Sequence, residues 1–349
     1  MMPATSTISL ERPGRNAVGV WLLSLAALVI AMLALGGLTR LTGSGLSITE
    51  WKPILGTIPP LSHDAWMDAF HKYQRIPQFH EHVGMTLEGF KAIFWWEWAH
   101  RFLGRAIGFV FLVPFAWFAV TGAIKREDWP RMLLLFVLGG LQGFVGWWMV
   151  QSGLEVRVAV SQYRLAIHLG FAVLLLGALL WVALEYLRGR ERIAPTPASR
   201  WASVFAALVF LQMMLGALVA GLHAGLKYNS WPSMDGNFLP ENPFSDGWLS
   251  AFENPGLAQF DHRMIAYAVA VFAWVLWSWL RTRNKSPLPV MARRASTAVV
   301  AVTAVQIVIG IETLLFQVPV VLAATHQVIA ALLFSAAIWL VFELRHKAA

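Results

Sequence analysis

Cysteine is absent from the 349 residues, and charged side chains are scarce, at 13% of the chain. The missing cysteine excludes disulfides, thiolate metal sites and a cysteine nucleophile. The shortage of charge excludes an ordinary soluble domain, in which about a quarter of the residues are charged. Hydrophobic residues make up 58% of the chain and the mean hydropathy is +0.59. These values indicate a protein that lies in a membrane.

Long apolar runs, bounded by charged or Pro/Gly-rich segments, predict eight transmembrane helices. Each run can cross a bilayer, which takes about 20 residues, and none shows the alternation of a β-strand. Because only helices and closed barrels span membranes, we predict an all-α integral membrane protein. The predicted spans are 17–38, 99–122, 131–150, 163–186, 201–222, 262–281, 295–315 and 320–343.

The net charge of +8 would suggest a nucleic-acid partner in a soluble protein, but in a membrane protein it indicates basic cytoplasmic loops. Of the 27 Lys and Arg residues, 16 fall on the side of the amino terminus. We therefore place both termini in the cytoplasm (N-in/C-in) and expect no nucleic-acid partner. The first apolar run is long for a signal peptide, and no organelle-targeting leader is visible, so we expect a bacterial cytoplasmic (inner) membrane.

Three sets of positions repeat along the chain with offsets of 158 to 164 residues. This repeat predicts two pseudo-symmetric four-helix bundles, residues 1–190 and 191–349. Each half contains an even number of spans, so the repeat is parallel, unlike the inverted repeats of many transporters. The repeated positions are 97–101 with 259–263, Gln142 with Gln306, and His168 with His326.

Four of the ten histidines lie near the outer ends of the even-numbered spans. His100 and His262 are just inside their predicted helix starts, and His168 and His326 are about one to two turns in. Ionisable side chains within a membrane mark a function by default. Imidazoles from facing helices of a bundle can supply both axial ligands of a haem iron. The natural pairs are His100 with His168 and His262 with His326. The four histidines of the long outer loop, 39–96, are irregularly spaced, which favours surface exposure over metal binding.

Three arginines close to these histidines are candidate partners for haem propionates, because a guanidinium matches a carboxylate with two hydrogen bonds. Arg101 and Arg263 directly follow a histidine, and Arg164 precedes His168 by one turn. The alternative is that they reach the lipid headgroups. Both interpretations remain open.

The two halves differ three residues before their first histidine, where the first half has Glu97 and the second has Gln259. Glu-x-x-His is also a di-iron ligand pattern, but that design needs two such motifs and further glutamates. A Glu97 that acts as general base or stabilises charge beside a haem is therefore favoured over a ligand. Its structural alternative is a salt bridge to Arg101 or His100.

The long outer loop contains two stretches that predict short amphipathic helices over the first-half pocket, at about 64–74 and 86–96. Ser62 and Thr86 stand at suitable positions to begin them.

Several long motifs closely resemble the haem A synthase family, in the form found in alphaproteobacteria and mitochondria. The likeness covers nearly the whole chain, and in combination these motifs are highly specific. They read GGLTRLTGSGLS at 36–47, EWKP at 50–53, GTIPP at 56–60, FWWEWAHR at 94–101, YRLAIH at 163–168 and ATHQ at 324–327.

The resemblance implies that the first half takes haem O and the second half holds a b-type haem. By this analogy His100 and His168 face the iron of the substrate haem, His262 and His326 ligate haem B, and Glu97 is the essential acid. Some bacterial relatives carry cysteine pairs in outer loops that are linked to catalysis or redox transfer. This chain has none, so its redox work must rest on haem.

The implied reaction oxidises the C8 methyl of haem O to the formyl group of haem A by successive hydroxylations, for haem-copper terminal oxidases. Four electrons leave the substrate, and haem B would relay electrons. Expected partners are the haem O-producing farnesyltransferase, a quinol or ferredoxin-like electron donor, terminal oxidase assembly factors, the lipid bilayer and a possible second copy of the chain. A di-haem subunit that only exchanges electrons with quinol is the main alternative, and a transporter is the third.

Overall fold

The computed structural model describes residues 14–52, 54–154, 158–282 and 288–346. These residues form α-helices joined by short turns and single 3₁₀ segments. Eight of the described helices are long and apolar enough to cross a membrane, so the prediction of an all-α integral membrane protein is confirmed. The helices are α1 (Arg15–Leu41), α2 (His63–Tyr73), α3 (Leu87–Val120), α4 (Trp129–Gln151), α5 (Gln162–Arg188), α6 (Pro197–Gly221), α7 (Ser250–Glu253), α8 (Pro255–Thr282), α9 (Val290–Leu315) and α10 (Val320–Glu343).

The predicted outer-loop helices are half right. Ser62 begins α2, since its Oγ accepts a hydrogen bond from Ala65 N at 3.2 Å, and Thr86 caps α3 in the same way. The second predicted helix, 86–96, is not a separate element but the first turns of α3. No glycine or proline lies between residues 90 and 103, so nothing ends the helix before the membrane span begins.

The eight long helices pack as two rings of four. In the first ring α1 contacts α3 and α5, and α4 closes the ring between them; in the second ring α6 contacts α8 and α10, and α9 lies between them. The rings meet where α1 touches α10 and α5 touches α6. Gln327 also links them, because its Nε2 donates to Leu33 O at 2.7 Å. The division into domains at residue 190 stays a prediction.

The rings share one end, here called the histidine end, at which α1, α4, α6 and α9 finish and α3, α5, α8 and α10 begin. A cap covers this end of the first ring, formed by α2, the residues around it and the first turns of α3. The cap has its own buried core, separate from that of the bundle. That core consists of Leu46, Phe70, Tyr73, Ile76, Phe90 and Phe94, and it packs on Val150 and Leu154 at the end of α4.

The opposite end of the bundle holds a repeated contact that sequence reasoning missed. Trp181 Nε1 donates to Glu185 at 2.8 Å, and Trp339 Nε1 donates to Glu343 at 3.0 Å. Both residues of the pair recur at an offset of 158, which is also the offset between His168 and His326. Glu185 is buried and pairs with Arg131 at 2.5 Å, as a buried carboxylate requires.

Candidate functional site

Each of the four predicted histidines packs its imidazole against a glycine of the preceding long helix. A methyl group built on any of these glycines would lie 2.8 to 3.1 Å from the histidine Cε1. Real side chains essentially never come within 3.0 Å, the case at three of the sites, and rarely come as close as the 3.1 Å at Gly216. Each ring therefore occupies space that the absence of a glycine side chain leaves free. The pairs are Gly36 with His100, Gly146 with His168, Gly216 with His262 and Gly310 with His326.

The four glycines share a position as well as a role. Each lies five residues before its helix ends, since α1 ends at 41, α4 at 151, α6 at 221 and α9 at 315. The four histidines therefore lie at a similar depth near the histidine end. His100 and His262 do not lie close to their helix starts as predicted. His100 is 13 residues inside α3, because α3 begins at Leu87, well before the predicted membrane span, and His262 is seven residues inside α8, which begins at Pro255.

A glutamine one turn before the glycine holds the histidine in three of the four sites. Gln142 Nε2 lies 3.1 Å from His168 Nδ1 and donates to His168 O at 2.9 Å. Gln212 makes the same two contacts with His262, at 3.1 and 2.9 Å. Gln306 Nε2 lies 3.3 Å from His326 Nε2. The spacing Gln-x-x-x-Gly is visible in the sequence, and its threefold recurrence could have revealed these contacts.

The second-half histidines have the separation that a shared iron requires. The ring centroids of His262 and His326 lie 6.4 Å apart, with the planes at 74°. Two nitrogen–metal bonds of about 2 Å each, with half a ring on either side, give roughly 6 Å between ring centres. His100 and His168 are also close enough to interact electrostatically. All four histidines are half-buried, so part of each ring remains accessible on the side away from its glycine.

Glu97 is the centre of a clamp that holds the chain following α1. It is 3% exposed and accepts hydrogen bonds from Ser47 Oγ at 2.8 Å and from Ile48 N at 2.7 Å. Arg101 forms an ion pair with its other oxygen at 2.6 Å and also donates to the carbonyls of Ile48 and Glu50. The salt-bridge alternative for Glu97 is therefore observed, while its catalytic role stays a prediction.

Gln259 and Arg263 build the corresponding clamp in the second half with opposite polarity. Gln259 Nε2 donates to two carbonyls, Ala224 O at 2.9 Å and Tyr228 O at 3.3 Å. Its oxygen accepts from Arg263 at 3.1 Å. Where Glu97 needs donors, the second half presents acceptors, so an amide fits at 259 and a carboxylate does not.

The charge balance of the two clamps differs. Arg101 is neutralised by Glu97, whereas the described hydrogen-bond partners of Arg263 are all neutral oxygens, those of Ser233, Tyr228 and Gln259. Arg263 is 8% exposed, and its Nε is buried without a hydrogen-bond partner among the described residues. A buried cation of this kind calls for an anion, and a haem propionate would supply one.

The third predicted arginine, Arg164, is engaged with α4. Its Nη1 donates to Trp148 O at 2.7 Å, and its guanidinium lies 4.5 Å from the centre of the Trp148 ring. The propionate role of Arg101, Arg164 and Arg263 stays a prediction. The contacts of Arg101 and Arg263 show that neither of them simply reaches out to the headgroups.

The outer-loop histidines are on the surface, as the sequence indicates, with one exception. His63, His71 and His80 are exposed, whereas His82 is half-buried and its Nδ1 lies 2.8 Å from the Tyr73 hydroxyl. The same hydroxyl donates to Gln78 Oε1 at 3.3 Å, and burial raises the pKa of Tyr73 to about 12. In the part of the chain that the structure describes, no group of three or more His, Cys, Asp or Glu side chains lies close enough together to hold a metal ion.

Gly146→Ala is expected to displace His168 and lower the retention of haem in the first half. The added methyl would lie 2.9 Å from His168 Cε1, so the ring must move from its place. Misplacing a metal ligand's support typically costs about 10- to 100-fold in affinity. Haem content after purification in detergent measures the effect.

Gly143→Ala is the matched control on the same helix, because a methyl there meets nothing within 4 Å. It should retain haem at the level of the unsubstituted protein. Equal haem content in the two alanine variants would contradict a role for the glycine as the seat of the imidazole.

The fold and site define a class: a multi-pass, all-α membrane protein with two pairs of histidines near one end of its helices. The sequence pattern of the cytochrome oxidase assembly proteins, COX15-CtaA, matches residues 19–338. Heme A synthase of Parvibaculum lavamentivorans is 47% identical over 99% of both chains. Heme A synthase of Brucella anthropi is 49% identical over 96% of this chain and 94% of its own. Heme A synthase of Nitrosospira multiformis is 45% identical over 95% and 94%. The chain belongs to the haem A synthase family.

Proposed function

We propose that this chain is a membrane-bound oxidoreductase that converts haem O to haem A for the assembly of haem-copper terminal oxidases. The observation that carries the proposal is the set of four glycine-seated histidines, in two facing pairs, within a chain that is 47% identical over its full length to a haem A synthase. A catalytic protein also explains why the two halves differ at Glu97 and Gln259.

The second half is proposed to hold haem B between His262 and His326. Their ring separation fits two ligands of one iron. Arg263 interacts with Asp235 only at longer range and hydrogen-bonds only neutral oxygens among the described residues, so a propionate would fit as its direct partner. Gln212 and Gly216 hold His262 in place, and Gln306 and Gly310 hold His326. When bound, haem B supplies one-electron transfer.

The first half is proposed to bind the substrate, haem O, between His100 and His168. The cap closes the histidine end of this ring, and the Glu97–Arg101 clamp fastens the cap to α3. The cap would keep bulk water from the reacting methyl group, which is how closed sites protect reactive intermediates. Glu97, one turn from His100 on the same helix, would accept a proton or stabilise positive charge on the porphyrin.

The proposed reaction turns the C8 methyl into a formyl group through an alcohol and a gem-diol that loses water, so four electrons leave the methyl carbon. With dioxygen as the oxidant, each of the two hydroxylations would reduce one O2 with two electrons from the methyl carbon and two from a quinol or ferredoxin-like donor, and would release one water. We place the chain in the bacterial inner membrane with both termini in the cytoplasm and the histidine end on the other side, where the farnesyltransferase that makes haem O could hand over its product.

One experiment tests the function. The chain is expressed in a host that makes haem O but not haem A, and extracted haems are identified by chromatography and mass. Haem A, or its hydroxylated precursor, is expected. If the chain binds haem and quinol reduces it, but no modified haem forms, the protein is the di-haem electron-transfer subunit instead. A His100→Ala, His168→Ala double variant serves as the inactive control.

A further inference from the structure

One of the four histidine sites departs from the common plan. We call the glycine against which each imidazole packs the seat glycine. In α4, α6 and α9 the residue one turn before it is a glutamine, whereas in α1 it is Met32. The odd site is that of His100, in the half proposed to bind substrate. The three glutamines are Gln142, Gln212 and Gln306.

Each glutamine ties a histidine to the neighbouring helix. Gln142 and Gln212 reach both the ring and the backbone carbonyl of their histidine, and Gln306 reaches the ring. A metal-binding imidazole almost always donates its second ring N–H to an acceptor, which sets the orientation of the ring. The Oε1 of all three glutamines is buried and without a partner among the described residues. A half-turn about the last side-chain bond of a glutamine exchanges its oxygen and its nitrogen. Each of the three glutamines can therefore present its oxygen as an acceptor to the histidine ring.

Met32 occupies the equivalent position in α1 but cannot form these hydrogen bonds. Its Cε lies 3.5 Å from a methyl built on Gly104, one turn beyond His100, so the side chain points at the same part of α3. A thioether is only a weak acceptor and has no donor. His100 Nδ1 is buried and has no hydrogen-bond partner among the described residues. His326 Nδ1 is also without a described partner, but at that site Gln306 contacts the other ring nitrogen at 3.3 Å and has a free amide oxygen, whereas Met32 offers neither.

We propose that the three glutamines lock His168, His262 and His326 as permanent iron ligands, and that Met32 leaves His100 exchangeable. The haem iron of the first half can then open one coordination position, on the His100 side, to a small molecule such as carbon monoxide or dioxygen. The inference rests on the proposed binding of haem in both halves. It adds that the open coordination position belongs to the first half and lies on the His100 side of the iron.

The test uses the full chain purified with its haems from a host that makes haem O, reduced and titrated with carbon monoxide. The unsubstituted protein is expected to bind carbon monoxide at the first-half haem and not at haem B. Met32→Gln should lower the carbon monoxide affinity of that haem about 10-fold or more, the range for outer-shell partners of a metal, without loss of haem. Met32→Leu, which adds no hydrogen bond, is the matched control and should behave like the unsubstituted protein.

A second variant makes the inference independent of whether Met32→Gln folds. Gln306→Met copies the α1 arrangement into the second half and should make haem B bind carbon monoxide. The inference is overturned if Met32→Gln binds carbon monoxide like the unsubstituted protein, if it loses its first-half haem, or if haem B of Gln306→Met stays closed. A purified chain with no haem in either half would instead contradict the proposed function, and product formation is not needed for any of these readings.

Discussion

Purified His262→Ala protein is expected to contain no haem B, whereas His100→Ala protein retains it. His262 is one of two imidazoles whose ring centres lie 6.4 Å apart, so its removal takes away one of the two side chains that would hold that haem. His100 belongs to the other ring of helices, where it packs against Gly36. The reduced-minus-oxidised spectrum and the extracted haem, measured per chain, report the result.

His63→Ala is the matched control for the loss of a histidine, because His63 is exposed on α2. It should keep both haems. Haem B lost from His100→Ala and kept in His262→Ala would reverse the proposed assignment of the two halves.

Glu97→Gln is expected to loosen the segment after α1 and to slow haem A formation. The carboxylate accepts hydrogen bonds from Ser47, Ile48 and Arg101, and an amide must turn its NH₂ toward one of these donors. Hydrogen bonds to charged groups contribute about 1.5–3 kcal/mol each. A local loss of about 2 kcal/mol corresponds to roughly 30-fold faster hydrogen exchange at Ile48 N, which mass spectrometry of the 44–50 segment can measure.

Glu88→Gln is the control, since Glu88 lies in the first turn of the same helix and its side chain is 79% exposed. The two roles of Glu97 separate in this experiment. Unchanged exchange in Glu97→Gln would contradict the clamp, and a normal rate of haem A formation would remove its role in the chemistry. Normal exchange with no product would leave proton transfer or charge stabilisation as its role.

The positions of the histidines were predictable because long apolar runs identify membrane helices, and ionisable side chains inside such helices are rare. Given eight spans and three repeated sets of residues, the pairing of His262 with His326 follows from the helix order alone. The start of α3 was not predictable from hydropathy. The apolar run that marks the membrane span stops at the charged residues Glu97 and Lys91, although the helix extends past them toward its amino terminus. The cap helix α2 was found because its Ser62 start is a local signal.

The partners of the functional side chains could not be read from spacing. Glu97 and Ile48 are 49 residues apart, and Gln142 and His168 are 26 apart, so only packing brings them together. The glycines were overlooked for a different reason. A glycine in a membrane helix has many uses, and its value here, as the seat of an imidazole, becomes visible only when the opposite side chain is in place.

The two rings meet through equivalent faces. Gly36 corresponds to Gly216 and His168 to His326, which matches α1 with α6 and α5 with α10. The contact of α1 with α10 and that of α5 with α6 are therefore the same contact made twice. This is the geometry of a symmetric homodimer. Two copies of a single four-helix half could therefore pair through this same contact, so joining the halves in one chain requires no interface beyond it.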